Sequence, residues 1–94
     1  YEANWAQHVY HLYAIRTQKR DELVKAFEAA KIGYSLHYQA PPHTQKSCEQ
    51  FGLCHANLPV TMELSNQVIE LPMHPLLKEE EVDYVCEVIR NTVG

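Results

Sequence analysis

Val9-Tyr10-His11-Leu12-Tyr13-Ala14-Ile15 joins β-branched and aromatic residues without a breaker, the composition of a pleated, partly buried strand. Alternation places Val9, His11, Tyr13 and Ile15 on one face and Tyr10, Leu12 and Ala14 on the other. Both faces are largely apolar, which predicts a central strand. Immediately downstream the period changes. Leu23, Phe27 and Ala30 recur at the i, i+4, i+7 spacing of a buried helical stripe, with Arg20, Lys25, Glu28 and Lys31 pointing mostly elsewhere. Thr17 is placed to cap this helix, and Gly33 follows its last turn as a residue that tolerates a left-handed backbone. The spacing predicts a helix over residues 18–31.

From Tyr34 to Tyr38 the pattern becomes aromatic and small again, and Pro41-Pro42 lack the amide donors to continue a ladder. A second strand therefore delivers His37 and Tyr38 to a loop mouth. Gln45 to Phe51 reads as a short helix ended by Gly52. Asn57 is placed to cap a helix carrying Val60, Leu64 and Val68 on one stripe, with Pro59 tolerated in its first turn. Ile69 to Leu71 reads as a short strand before Pro72 and Pro75. Last comes the clearest helix, with Val82, Val85, Cys86, Ile89 and Val93 on its stripe and Glu79, Glu80 and Glu81 in its first turn, where the helix dipole favours anions. This order predicts an α/β (α+β) two-layer sandwich, a small sheet with helices on one face, as one domain over residues 1–94.

The composition bounds the partners. A net charge of −4, from 12 acidic and 8 basic residues without a basic block, argues against nucleic acid. No apolar run approaches the roughly 20 residues that cross a bilayer, so no membrane is expected and the cytoplasm is the expected compartment. The start Tyr1-Glu2-Ala3 lacks a methionine and fits removal of a tag or excision from something longer, the latter being the expectation. Cys48, Cys54 and Cys86 are odd in number and read as reduced thiols. A zinc site from His43, Cys48, Cys54 and His55 has the right donor chemistry but no close Cys-x-x-Cys pair, so incidental thiols are expected.

The chain carries no Gly-x-Gly-x-x-Gly, no phosphate loop ending Gly-Lys-Ser/Thr, no Gly-x-Ser-x-Gly and no His-Glu-x-x-His. Of its 6 histidines, His37, His43, His55 and His74 fall in or beside predicted loops. His55 and His74 read as solvated residues. His8 and His11 go to opposite strand faces, and His11 is expected to pack within the sheet. His37, Tyr38 and His43 share one proline-stiffened loop, where imidazole and phenol groups could hydrogen-bond a polar ligand. An equal reading makes Tyr38 a lid on the core and His37 a partner of the backbone. Tyr10, Tyr13, Tyr34 and Tyr38, without interleaved basic residues, read as core rather than a stacking platform.

Six segments carry a resemblance in order and spacing: His8-Val9-Tyr10-His11-Leu12-Tyr13-Ala14-Ile15-Arg16, Arg20-Asp21-Glu22-Leu23, Lys31-Ile32-Gly33, His37-Tyr38 with Pro42-His43-x-Gln45, Leu71-Pro72-Met73-His74-Pro75, and Val82-Asp83-Tyr84-Val85. Together they resemble the C-terminal small domain of the DegT/DnrJ/StrS aminotransferases, fold-type-I enzymes that use pyridoxal phosphate to aminate nucleotide-linked keto sugars. The resemblance implies a mostly antiparallel sheet, glutamate as amino donor, a homodimer in the full-length enzyme, and a role in polysaccharide or surface-glycan biosynthesis. It also implies an upstream large domain that supplies the Schiff-base lysine and the partner of the pyridinium nitrogen. Lys19, Lys25, Lys31, Lys46 and Lys78 match no such lysine motif, so this segment alone is expected to bind no cofactor and to be non-catalytic.

What carries over is His37 and Tyr38, with His43 and Gln45, as substrate-binding residues beside the nucleotide sugar. Cys54-His55 departs from the family pattern and leaves the sugar open. Two alternatives stand: a pyridoxal-phosphate-dependent keto-sugar dehydratase on the same scaffold, and a free-standing module that binds a small polar ligand without catalysis.

Overall fold

A computed structural model describes residues 2–52, 54 and 56–94. Strands β1 (Tyr13–Arg16) and β2 (Val68–Leu71) pair antiparallel, with Tyr13 opposite Leu71 and Arg16 opposite Val68. Glu70 faces Ala14 on one side and, through an isolated bridge, Ser35 on the other. There Ser35 N–H donates to the Glu70 carbonyl at 3.2 Å, and Glu70 N–H donates to the Ser35 carbonyl at 3.0 Å. The middle of the sheet is therefore β2, and β1 lies at its edge.

That order corrects the expectation of a central first strand running from Val9. Tyr10 adopts φ 48, and its N–H donates to His8 Nδ1 at 2.7 Å, so the chain bends before the ladder begins at Tyr13. His11 is exposed and outside the strand, contrary to its expected place within the sheet. The strand expected over Tyr34–Tyr38 contracts to the Ser35 bridge. Beyond it the His37 N–H turns to the Glu70 side chain, and Tyr38 at φ 56 takes a left-handed backbone that cannot extend a ladder.

Helix α1 (Arg20–Ala30) buries Leu23 and Phe27, both at 0% exposure. Its end differs from expectation, because Lys31 rather than Gly33 occupies the left-handed position. The cause is Ile32, a core residue: turning at Lys31 lets Ile32 N–H donate to the Phe27 carbonyl at 2.9 Å while its side chain reaches the core. Thr17 Oγ1 accepts the Lys19 N–H at 3.1 Å, ordering the entry to the helix without capping it.

Two 3-10 helices, Pro42–Thr44 and Lys46–Phe51, follow, and Gly52 at φ 66 ends the second as expected. Helix α2 (Pro59–Ser65) starts after Leu58, so Asn57 does not cap it. Val60 is exposed and Val68 belongs to β2, so the expected stripe does not form. Polar clamps hold α2 instead: Arg20 Nη1 donates to the Ser65 carbonyl at 2.6 Å, and the Arg16 guanidinium reaches Glu63 and Gln67.

Helix α3 (Glu79–Val93) follows its predicted stripe in part: Val85 is buried and Ile89 and Val93 pack around the core, but Val82 is 43% exposed and Val88, outside the expected stripe, joins the core instead. Glu81 Oε2 accepts the Lys78 N–H at 2.8 Å at its start. Leu23 and Phe27 from α1, Ile32, Ile69 from β2 and Val85 from α3 form the core, so α1 and α3 cover one face of the sheet.

Candidate functional site

The opposite side of β2 carries the polar chemistry. Ile69 and Glu70 are adjacent in a pleated strand and so project to opposite faces, and both are buried, Glu70 at 5% exposure. A carboxylate held away from water needs partners. Glu70 Oε2 accepts the His37 backbone N–H at 3.3 Å and lies 3.3 Å from His37 Nδ1. One oxygen thus meets both the main chain and the ring of the same residue. The His37 side chain keeps 47% of its surface exposed.

Tyr38 follows at 79% exposure, with its ring centroid 6.4 Å from that of His37 and the planes tilted by 50°. That exposure removes the reading of Tyr38 as a lid on the core. A left-handed backbone in a tyrosine is uncommon and strained, and here it throws a large aromatic side chain outward next to a braced imidazole.

The rest of the loop is tied to itself. Gln39 Nε2 donates to the Leu36 carbonyl at 3.3 Å, Thr44 donates to the Pro41 carbonyl through both N–H and Oγ1 at 2.8 Å, and Gln45 Nε2 donates to the Ala40 carbonyl at 2.9 Å. His43 sits half-buried in the first 3-10 helix. The structure therefore brings His37 and Tyr38 together. It sets His43 and Gln45 further along the same braced loop, with no hydrogen bond joining their side chains to the first pair among the described residues. Gln45 acts in the loop as a brace.

The residue missed by sequence reasoning is Glu70. Its signal was present, a lone carboxylate between Ile69 and Leu71 in a predicted strand, where burial demands a cationic or N–H partner. A crevice of about 360 Å³ opens beside it, lined by His11, Tyr13, Tyr34, Ser35, Glu70 and Met73.

The other tyrosines also depart from expectation. Tyr10 and Tyr13 are half-exposed and stack with centroids 6.4 Å apart, and only Tyr34 packs on the core. β1 is an edge strand, and Tyr13 at its start is 49% exposed. His74 is exposed, as expected, and His55 lies outside the described residues. Among the described residues no group of three or more His, Cys, Asp or Glu side chains gathers at metal-binding range. Cys54 Sγ contacts the Gln45 carbonyl at 3.8 Å, and burial, then Glu49 and Cys48, pushes its thiol pKa up.

Lys19, Lys25, Lys31, Lys46 and Lys78 are all exposed. None stands in an enclosed site, so the residues present do not fit a pyridoxal phosphate bound as a Schiff base.

The model of the DegT/DnrJ/EryC1/StrS aminotransferase family matches residues 1–90. Similar proteins include a dTDP-3-amino-3,4,6-trideoxy-alpha-D-glucose transaminase of Micromonospora megalomicea subsp. nigra, 32% identical over 93% of this chain and 24% of its own length. A UDP-N-acetyl-3-dehydro-alpha-D-glucosamine 3-aminotransferase of Acidithiobacillus ferrooxidans is 35% identical over 92% of this chain and 23% of its own length. The crystal structure of a DegT DnrJ EryC1 StrS aminotransferase from Brucella abortus superposes with a TM-score of 0.76 at 32% identity, covering 88% of this chain and 22% of that one. The chain thus spans about 24% of the length of such relatives, and across that span its fold is theirs. The chain belongs to the DegT/DnrJ/EryC1/StrS aminotransferase family.

Proposed function

We propose that residues 1–94 are the C-terminal small domain of a pyridoxal-phosphate-dependent aminotransferase that moves an amino group from glutamate to a nucleotide-linked keto sugar in polysaccharide or surface-glycan biosynthesis. The observation that carries this reading is the match of nearly the whole chain to one quarter of sugar transaminases, with His37 and Tyr38 exposed on a braced loop. In the complete enzyme a large domain supplies the cofactor, its lysine and the reacting centre, and two subunits associate. The expected compartment is the cytoplasm; among the described residues no helix is long and apolar enough to cross a membrane.

In this reading the chain's own residues bind and orient. His37 offers a ring nitrogen to a sugar hydroxyl or diphosphate oxygen, and Tyr38 offers a hydroxyl and a ring face. His43 adds a further polar contact, and Gln45 holds the loop in shape. Water exclusion follows from the loop closing one side of the pocket, which strengthens each of these contacts.

The test is titration of a UDP- or dTDP-sugar while the His37 and Tyr38 resonances are followed. Binding in the complete enzyme that shifts both, with weak or no binding to the 94-residue chain, is the expected result. Tight binding by the chain alone would favour a free-standing module. Unchanged His37 and Tyr38 signals in the ligand-bound complete enzyme would remove the loop from the site.

A further inference from the structure

We infer that Glu70 is a positioning residue that fixes the proton of His37 on Nδ1 and so presents Nε2 as the edge that meets the ligand. The inference rests on the sugar-site reading for what the ligand is, and on geometry alone for the tautomer.

An imidazole in water is free to carry its proton on either nitrogen, and a hydrogen bond or a charge set beside one nitrogen biases which of the two holds it. Here Nδ1 lies 3.3 Å from Glu70 Oε2, an ion-pair contact short of hydrogen-bond geometry, and the negative carboxylate favours the proton on the nitrogen that faces it. The same oxygen accepts the His37 backbone N–H, so the ring and the main chain that carries it are referenced to one atom. That atom is itself fixed. Glu70 lies in the middle of the sheet, paired to Ala14 and Ser35, and its side chain is only 6% exposed.

Nε2, the nitrogen turned from that contact, makes no hydrogen bond among the described residues, and 47% of the His37 side chain meets solvent. In the neutral ring it is an acceptor, matched to a sugar hydroxyl. In the protonated ring it is a donor, matched to a diphosphate oxygen, with Glu70 balancing the charge. Glu70 therefore acts through His37.

Nitrogen-15 correlation spectra of histidine-labelled 94-residue chain at a pH where His37 is neutral test this directly. The expected spectrum has a protonated Nδ1 and an unprotonated Nε2. Glu70→Met, which removes the acceptor while keeping an unbranched side chain of similar length, should shift His37 toward the Nε2-protonated form and lose amide protection at His37. Glu70→Gln retains one acceptor oxygen and should hold the wild-type tautomer. An Nε2-protonated wild type, or a tautomer unmoved by Glu70→Met, overturns the inference; if that variant does not fold, the wild-type and Glu70→Gln spectra still decide it. In the complete enzyme, Glu70→Met should raise KM for the nucleotide sugar more than it lowers kcat. An Nδ1-protonated His37 with no response to nucleotide sugar there would sink the sugar-site reading while the positioning role of Glu70 stands.

Discussion

Tyr38 combines a strained backbone with the exposed ring of the proposed site. A non-glycine residue in the left-handed region costs about 1–2 kcal/mol, and Tyr38 at φ 56 buries little surface to offset it. Tyr38→Gly should therefore leave the thermal midpoint unchanged or slightly raised, since glycine relieves the strain but adds unfolded-state entropy. The same change should weaken nucleotide-sugar binding by the complete enzyme about tenfold, within the range for loss of one aromatic contact. Calorimetric unfolding and ligand titration on one variant would check both, and a destabilised loop with undiminished binding would contradict the assignment. Tyr34 gives a pH signature. Its hydroxyl donates to Glu28 Oε1 at 3.0 Å, and this hydrogen bond, with some burial and the Glu28 charge, raises its pKa above the ordinary 10.0. A raised folded value means that the folded state holds its proton longer, so the contribution is full below pH 10.0 and is lost as pH rises through the folded value. Denaturant midpoints measured across that alkaline window should fall, and Tyr34→Phe should flatten the part of the slope due to this group.

At the level of elements, the helices follow their apolar stripes and the strands follow their neighbours. The α3 stripe was legible because Val85, Ile89 and Val93 meet the core by periodicity alone. Leu23 and Phe27 place α1 for the same reason. Strand limits were not legible, since they depend on pairing: whether Val9–Leu12 joins a ladder is decided by the bend at Tyr10, and whether Tyr34–Tyr38 does is decided by Glu70, 33 residues away from His37. The loop of His37 and Tyr38 could be found from its prolines and its resemblance to the family, but the carboxylate beneath it is a long-range partner that no local pattern names. Helix α2 buries none of its residues, and Arg20 explains why it stays. The Arg20 side chain, 14% exposed, ties the Ser65 carbonyl at the end of α2 to the start of α1. Loss of a charged hydrogen bond of this kind costs about 1.5–3 kcal/mol. Arg20→Ala should accelerate amide exchange in α2 by roughly tenfold or more while α1 and α3 keep most of their protection. Equal acceleration in all three helices would mean that α2 is not a separable unit.

For the whole molecule, surface is the telling quantity. A compact monomer of 10.9 kDa exposes about 5,600 Å², whereas this chain exposes 7555 Å². The excess, about 2,000 Å², is of the order buried by a sizeable protein interface. The radius of gyration agrees: 16.2 Å against about 12 Å for a compact chain of this length. Much of the exposed area is apolar. Trp5, Val9, Phe51, Val60 and Leu76 each keep more than 60% of their surface in water, while the buried apolar core among the described residues is Leu23, Phe27, Ile32, Ile69 and Val85. A core of that size gives little margin, and uncovered patches of this kind mark surfaces that another body normally covers. The proposed large domain is that body. The 94-residue chain by itself should therefore self-associate at micromolar concentration and bind a hydrophobic dye, and the chain joined to the large domain should do neither through this surface. Sedimentation and dye fluorescence over a concentration series would measure both. A monodisperse, dye-silent monomer would mean that the chain covers its own apolar surface, and the small-domain assignment would then lose its main physical support.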